Sequence, residues 1–323
     1  MDVVIGTWNL ENLCRPREDG APPSHRCAAK NQDVYDAKLG ALAEVVDRIA
    51  PDVLGVQEVG GPAELDDLVA RLDGDWHTEL SDHPDERGIR VGFLSRHPLT
   101  RVEDRTAFPQ RLRPIQVEDF GEPIHTMGRG ALAVSVEPSP GHTLHLAVCH
   151  LKSKLLTFPG NRHSTEDEGE RARYAAYALF RRGAEAAAVR ELADRLLADE
   201  GRTRDVVVLG DLNDEWQAAT TQILYGPPGS QIGTGGFDRP DLRDGGRLWN
   251  LAPRILAAGG FSRVFEGQRE LIDHILVSHA LLERVTAVST GAGSLPDVNG
   301  AQPTAPHAGP SDHAPVLARL AFP

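Results

Sequence analysis

Apolar residues recur along the chain at two different spacings, and the switch between them marks out its elements. VVIGTW at 3–8 is strand-like. Leu39, Leu42, Val45, Val46 and Ile49 then fall on one helical face, which predicts a helix over 36–49 that Pro51 stops. VLGVQ (53–57) reads as a buried strand, Leu65, Leu68, Val69 and Leu72 mark a second helix, and VGFLS (91–95) is the next strand. ALAVSVE (131–137), TLHLAVC (143–149), VVVLG (206–210), HILVS (274–278) and PVLARL (315–320) supply the remaining strands. The Ala/Arg/Glu-rich stretch 168–199 is the longest helical segment and reads as a packed surface helix.

Strands separated by hairpin-sized gaps around 80–150 break the strict strand–helix alternation of a doubly wound sheet. The pattern predicts an α/β fold of mixed sheets with helices outside. Gly/Pro-rich stretches at 226–246 and 291–310 read as long surface loops, because strands needed to complete the sheets follow each of them. Residues 1–323 are therefore expected to form one domain.

Polar residues punctuate this pattern at defined places. VVIGTW runs into Asn9 and Glu11, VLGVQ into Glu58, TLHLAVC into His150, and VVVLG into Asp211 and Asn213. Two later strands reverse the order, with Asp273 before HILVS and Asp312 and His313 before PVLARL. If those two strands run antiparallel to the first four, all six clusters meet at one edge. His274, one residue beyond Asp273, faces the opposite side of its strand.

The oxygen-rich set Glu58, Asp312, Asn9 and Glu11 suits a hard divalent cation such as Mg2+. No nucleophile-elbow serine or cysteine and no Walker-type glycine loop is present. Metal-assisted attack by water is the chemistry left. In that scheme Asp211 orients or deprotonates the water, and Asn213 hydrogen-bonds the water or a phosphoryl oxygen. His150 stabilises a non-bridging oxygen, and His313, partnered by Asp273, stands near the anionic transition state. Lys152 and Lys154 in HLKSK, Arg129 in MGRGAL, and Arg111 and Arg113 in QRLRP are candidates for binding substrate phosphate.

Composition trims the options. A formal net charge of −13, from 34 basic and 47 acidic side chains, argues against binding duplex nucleic acid mainly by counterion release, while leaving room for a local basic groove. No apolar stretch is long enough to span a membrane. The start MDVVIGTWNL has no secretory pattern, so a cytoplasmic location is expected. Cys14, Cys27 and Cys149 are too few and scattered for a disulfide framework or a tetrahedral zinc site; Cys14 and Cys27 lie in one polar loop and would pair only if the protein were exported, so free thiols are the expectation. No obligate protein partner is inferred.

TWNLENL, GVQEV, CHLKSK, GDLND, ELIDHILVS and PSDHAPV occur in this order between residues 7 and 316. Together they resemble the endonuclease/exonuclease/phosphatase superfamily, also called deoxyribonuclease-like. The resemblance implies a four-layer α/β/β/α sandwich of two mixed sheets flanked by helices, hydrolysing phosphoesters with Mg2+ or Mn2+. It further implies Glu58 as the principal metal ligand, with Asn9, Glu11 and Asp312 around the ion and its waters. Asp211 and Asn213 would position the nucleophile, His150 would contact the scissile phosphate, and Asp273 and His313 would act there as a pair. The resemblance is silent on substrate. A phosphodiesterase or nuclease, a phosphomonoesterase or lipid or inositol phosphate hydrolase, and a non-catalytic binding module on the same scaffold remain the three readings.

Overall fold

The computed structural model describes residues 1–17, 27–225, 243–291, 295–298 and 310–322. Among these, fifteen strands run in chain order: β1 (Asp2–Leu13), β2 (Val53–Val59), β3 (His77–Leu80), β4 (Arg90–Ser95), β5 (Leu99–Ala107), β6 (Thr126–Ser139), β7 (His142–His150), β8 (Asp205–Asp211), β9 (Trp249–Asn250), β10 (Arg263–Phe265), β11 (Gln268–Glu270), β12 (Asp273–Val277), β13 (Val285–Thr290), β14 (Asp297–Val298) and β15 (Val316–Ala321). The helices are α1 (Gln32–Ile49), α2 (Pro62–Val69), α3 (Glu168–Leu197), α4 (Ala219–Tyr225) and α5 (Ala252–Ala257).

Two six-stranded mixed sheets result, ordered β13-β15-β1-β2-β4-β3 and β5-β6-β7-β8-β12-β9, with a small third sheet β11-β10-β14. Period-two alternation sorts each strand's side chains into layers. Val3 and Ile5 of β1 and Val53 of β2 meet Val148, Leu209, Ile275 and Val277 in a core between the large sheets. Trp8, Leu10, Leu54 and Val56 face the other way, against Tyr35, Leu39 and Leu42 of α1 and Leu65 and Leu68 of α2. Across the molecule, Ala147, Cys149, Val206, Val208 and Leu276 pack on Ala186, Val189, Leu192 and Ala193 of α3. The four-layer α/β/β/α sandwich is thus observed directly.

Small residues let these layers approach. A Cβ on Gly55 would stand 2.2 Å from Leu209 Cδ1 of the facing sheet, so only glycine allows that contact. Gly210 has φ +146°, and a Cβ there would lie 1.9 Å from the Cys149 carbonyl oxygen on the neighbouring strand.

Most predicted elements are present, with α1 beginning four residues early because Asn31 caps it through a bond from the Val34 amide. The predicted loop at 291–310 is corrected in part: Asp297 and Val298 pair with β10 as strand β14. Residues 292–294 and 299–309 of that stretch, like 226–242 of the other long loop, lie outside the described residues.

The free-thiol expectation is also corrected. Cys14, at the end of β1, and Cys27, ahead of α1, are disulfide-bonded, while Cys149 is free and buried. The Ala29 amide donates to the Cys14 carbonyl, bringing the two ends of the intervening loop together. The pair that bonds is the one that shares a polar loop in the sequence, 13 residues apart. Such bonds belong to oxidising compartments, which weighs against the cytoplasmic expectation. No described helix is long and apolar enough to cross a membrane.

Thiol titration of the denatured chain should find one reactive cysteine before reduction and three after, and reduction should lower the unfolding free energy by about 3 kcal/mol. Three thiols before reduction would refute the bond. Gly210→Ala should cost more than about 2 kcal/mol in urea unfolding, because the strained φ and the backbone contact act together; a change below about 0.5 kcal/mol would show that β7 can yield.

Candidate active site

The register explains why the strand-end polar groups converge. β1 and β2 are parallel, as are β7 and β8, while β15 runs antiparallel to β1 and β12 antiparallel to β8. Asp211 therefore sits opposite both His150 and Asp273. Each is in phase with its strand's inter-sheet residues: Val207 and Leu209 lead to Asp211, Leu146 and Val148 to His150, and Asp273 to Ile275 and Val277. His274, out of phase, turns away and its ring nitrogens meet the Asp214 carbonyl at 2.9 Å and the Asn250 amide at 3.2 Å.

Asp211 is the hub, 1% exposed. Its Oδ1 accepts the Asn213 amide at 2.8 Å, closing a turn. Its Oδ2 accepts from Asn9 Nδ2 at 3.0 Å and stands 3.4 Å from His150 Nε2 and 4.0 Å from His313 Nε2. One oxygen builds the loop and the other faces the site. Asn213 Nδ2 donates to the Leu151 carbonyl at 3.0 Å, fixing the carboxamide.

His313 Nδ1 meets Asp273 Oδ2 at 2.7 Å. Burial opposes charge on this imidazole, but Asp273 and Asp312 outweigh it and raise its pKa to about 10, so it is an imidazolium at neutral pH. Burial, then Asp273, push Asp211 above the usual carboxylate range. His150 goes the other way: burial, then Arg129 and Arg87, hold it well below the usual imidazole range, and it is neutral. Its Nδ1 has no hydrogen-bond partner among the described residues.

Glu58 reaches the site through a distortion. A regular β2 would turn it outward, since Gln57 faces inward and pairs with Thr7 at 3.0 Å. Between the pairs Asn9–Gln57 and Leu13–Val59 the register shifts, so three residues of β1 oppose Glu58 alone. Glu11, Asn12 and Glu58 all take positive φ there, at 49°, 54° and 64°. Local bonds hold the bulge: Asn12 N donates to Glu58 Oε2 at 3.0 Å and Glu11 N to Asn9 Oδ1 at 2.9 Å. Glu58 Oε1 lies 3.9 Å from His150 Nε2, which joins this group to the hub.

Asp312 N donates to Glu11 Oε2 at 3.1 Å, so the last loop docks on the bulge. Burial, then Asp312, raise the Glu11 pKa, with Glu58 adding to the shift. Burial would raise Glu58 too, but the Arg87 and Arg129 guanidiniums hold it low. Three carboxylates crowded this way repel one another. Their all-oxygen donor set fits a hard divalent cation, which would relieve that repulsion. Among the described residues, Asp211, Asp273 and His313 are the one group of acidic and imidazole residues whose ligand atoms all lie within 4.8 Å of one another, closer together than those of Glu11, Glu58 and Asp312, but there the imidazolium already balances carboxylate charge.

The candidate phosphate-binding residues are placed differently. Arg129 is buried, paired with Asp85 at 3.2 Å and directed at the His150 and Leu151 carbonyls. Lys152 Nζ donates to the Ser153 and Leu155 carbonyls. Half-exposed Lys154 lies 3.5 Å from Glu270 and 3.6 Å from Asp214. Arg111 and Arg113 are exposed, and no contact joins either to the site among the described residues.

Several contributors carry no sequence signal. Ser311 donates to the Asn9 carbonyl at 2.7 Å and accepts the His313 amide at 3.0 Å, and Trp8 Nε1 donates to the His313 carbonyl at 2.8 Å. Arg87 bonds Glu58 and Asp85 at 3.3 Å each. Only the nearness of Ser311 to Asp312 could have hinted at one of these.

Comparison with known proteins gives one family. The sequence matches the model of the Endonuclease/Exonuclease/phosphatase family over residues 6–313. No curated protein matches it. Among solved structures, TDP2 from Caenorhabditis elegans is similar with a TM-score of 0.56 and 14% identity, over 99% of this chain and 74% of that one. An endonuclease/exonuclease/phosphatase from Bacteroides vulgatus aligns over 100% of both chains with a TM-score of 0.54 and 16% identity. The human Nocturnin catalytic domain with bound sulfate aligns over 100% of this chain and 95% of its own, with a TM-score of 0.51 and 16% identity. At such identities the structural likeness speaks to fold alone. With the family model spanning nearly the whole sequence, the chain belongs to the endonuclease/exonuclease/phosphatase family.

Proposed function

We propose that this chain is a divalent-metal-dependent phosphodiesterase, a nuclease-type hydrolase in which water attacks phosphorus. The observation that carries the reading is the setting of Asp211 Oδ2, buried within 3.4 Å of His150 and 4.0 Å of His313, which is itself bonded to Asp273. Acid, neutral imidazole and imidazolium stand around one point.

Glu58, Glu11 and Asp312, with Asn9, would hold Mg2+ or Mn2+. The bound ion supplies electrostatic stabilisation of charge developing on the phosphoryl group. Asp211 accepts a proton from the water as its oxygen adds to phosphorus and the bond to the leaving oxygen breaks. Asn9 and Asn213 fix that carboxylate through its two oxygens. Neutral His150 and charged His313 face the non-bridging oxygens, where the imidazolium balances the transition-state charge. Asp273 keeps His313 oriented and protonated.

Charge favours a diester over a monoester. A monoester dianion needs more cations than the site offers, since Arg129 and Lys152 are turned to carbonyls, Arg87 is paired with Glu58, and Arg111 and Arg113 make no contact here. A singly charged diester suits one imidazolium and one metal ion.

Hydrolysis of bis-p-nitrophenyl phosphate and of DNA should require Mg2+ or Mn2+ and exceed that of p-nitrophenyl phosphate. Glu58→Ala and Asp211→Ala should each lower kcat/KM by about 100-fold or more. Full activity in both variants would refute the assignment, and a preference for the monoester would shift it to a phosphatase.

A further inference from the structure

The helix α1 buries Tyr35, Leu39 and Leu42 against the outer face of the first large sheet, and Lys38 stands in the same buried stripe, 2% exposed. A lysine in such a position requires a reason, because burial without partners strongly disfavours an ammonium. Its Nζ lies 3.7 Å from Glu11 Oε2, which is an ion-pair distance and not a hydrogen bond. The ammonium has three donors, and Nζ makes no hydrogen bond among the described residues.

An ion pair built only for stability would close to a charge-assisted bond of about 2.7–2.9 Å. Lys38 instead stays 3.7 Å from Glu11; burial lowers its pKa, and the charges of Glu11, Asp312 and Glu58 oppose that shift and favour the ammonium. Those are the three carboxylates crowded at the bulge. Without using its donors, the ammonium lowers their negative potential, as a bare cation would.

Of the cations that act on this acidic group, Lys38 and Arg87 differ in freedom. Arg87, 3.3 Å from Glu58, is 39% exposed and can swing into solvent when another ion arrives. Lys38 is enclosed by the helix packing and cannot leave. A metal ion can therefore displace Arg87, but one approaching Glu11 from the α1 side meets a fixed positive charge.

We propose that Lys38 is a positioning residue of the metal site, a resident cation that fills the second cation position beside Glu11 and limits the Glu11, Asp312 and Glu58 cluster to one divalent ion. This rests on the reading of the cluster as a metal centre. The consequence is a single-ion enzyme whose second cation is supplied by its own chain.

Mn2+ binding to the full chain, followed by electron paramagnetic resonance and calorimetry, tests this independently of activity. Wild type and Lys38→Arg should each take up one ion. Lys38→Met and Lys38→Gln should take up two, the first at least tenfold more tightly than wild type, with a larger rise in unfolding temperature on adding Mn2+. A merely structural lysine would lower stability on replacement without raising metal affinity. Should Lys38→Met fail to fold, Lys38→Gln, which keeps polar reach without charge, carries the comparison. Two ions in wild type, or equal stoichiometry and affinity in all folded variants, would overturn the role of Lys38 and leave the metal centre intact. A wild type that takes up no Mn2+ would remove the metal centre and the role of Lys38 with it.

Discussion

Everything at the site depends on the apolar core between the two large sheets. Burying a Val, Leu or Ile is worth about 1.5–3 kcal/mol, and a one-residue slip would turn a whole strand's set to the wrong face. Val207, Leu209, Ile275 and Val277 thereby lock β8 and β12 in register, and the same lock holds Asp211 opposite Asp273. The catalytic candidates are the polar end of the core's own alternation. No separate device is needed to aim Asp211, His150 or Asp273.

This is why so much of the arrangement was legible in the sequence. Strand-end acids and imidazoles in phase with apolar runs announced both a face and an edge, and the reversed order at Asp273 and Asp312 announced antiparallel strands. What periodicity could not show is wherever the period breaks. Glu58 lies one residue out of phase, and it faces the site only because positive φ at Glu11, Asn12 and Glu58 inserts a bulge. A pattern of alternation has no symbol for that.

Contacts between distant segments were equally silent. Lys38 looks like a helix-surface lysine in the chain and is buried in the fold, because α1 leans on β1 where the bulge brings Glu11 outward. Asp85 and Arg87 of one loop and Arg129 of β6 form a network across two segments, and no local spacing encodes the Arg129–Asp85 contact. The Cys14–Cys27 bond was open as a pairing within one polar loop, but what it packs against was not. Its buried cluster includes Ile89, two residues from Arg87, and Gly60, two residues beyond Glu58, would place a Cβ 3.1 Å from Cys14 Sγ. The bond thus braces the segments that carry Glu58 and its arginine.

The two halves of the site solve the problem of buried charge in opposite ways. Around Asp211 it is solved internally, by an imidazolium bonded to Asp273 and by the Asn9 carboxamide and the Asn213 main-chain amide, which satisfy the two carboxylate oxygens. Around Glu11 carboxylates stand close enough to repel one another, with the Lys38 ammonium 3.7 Å from Glu11. A scaffold tolerates such unrelieved repulsion only where packing over-determines the geometry, and local strain of this kind clusters where function needs it. At the site, positive φ marks Glu11, Asn12 and Glu58 in this second half, and Gly210 and Asn213 on the other side. In the proposed reading, the balanced half moves the proton and the unbalanced half receives the cation.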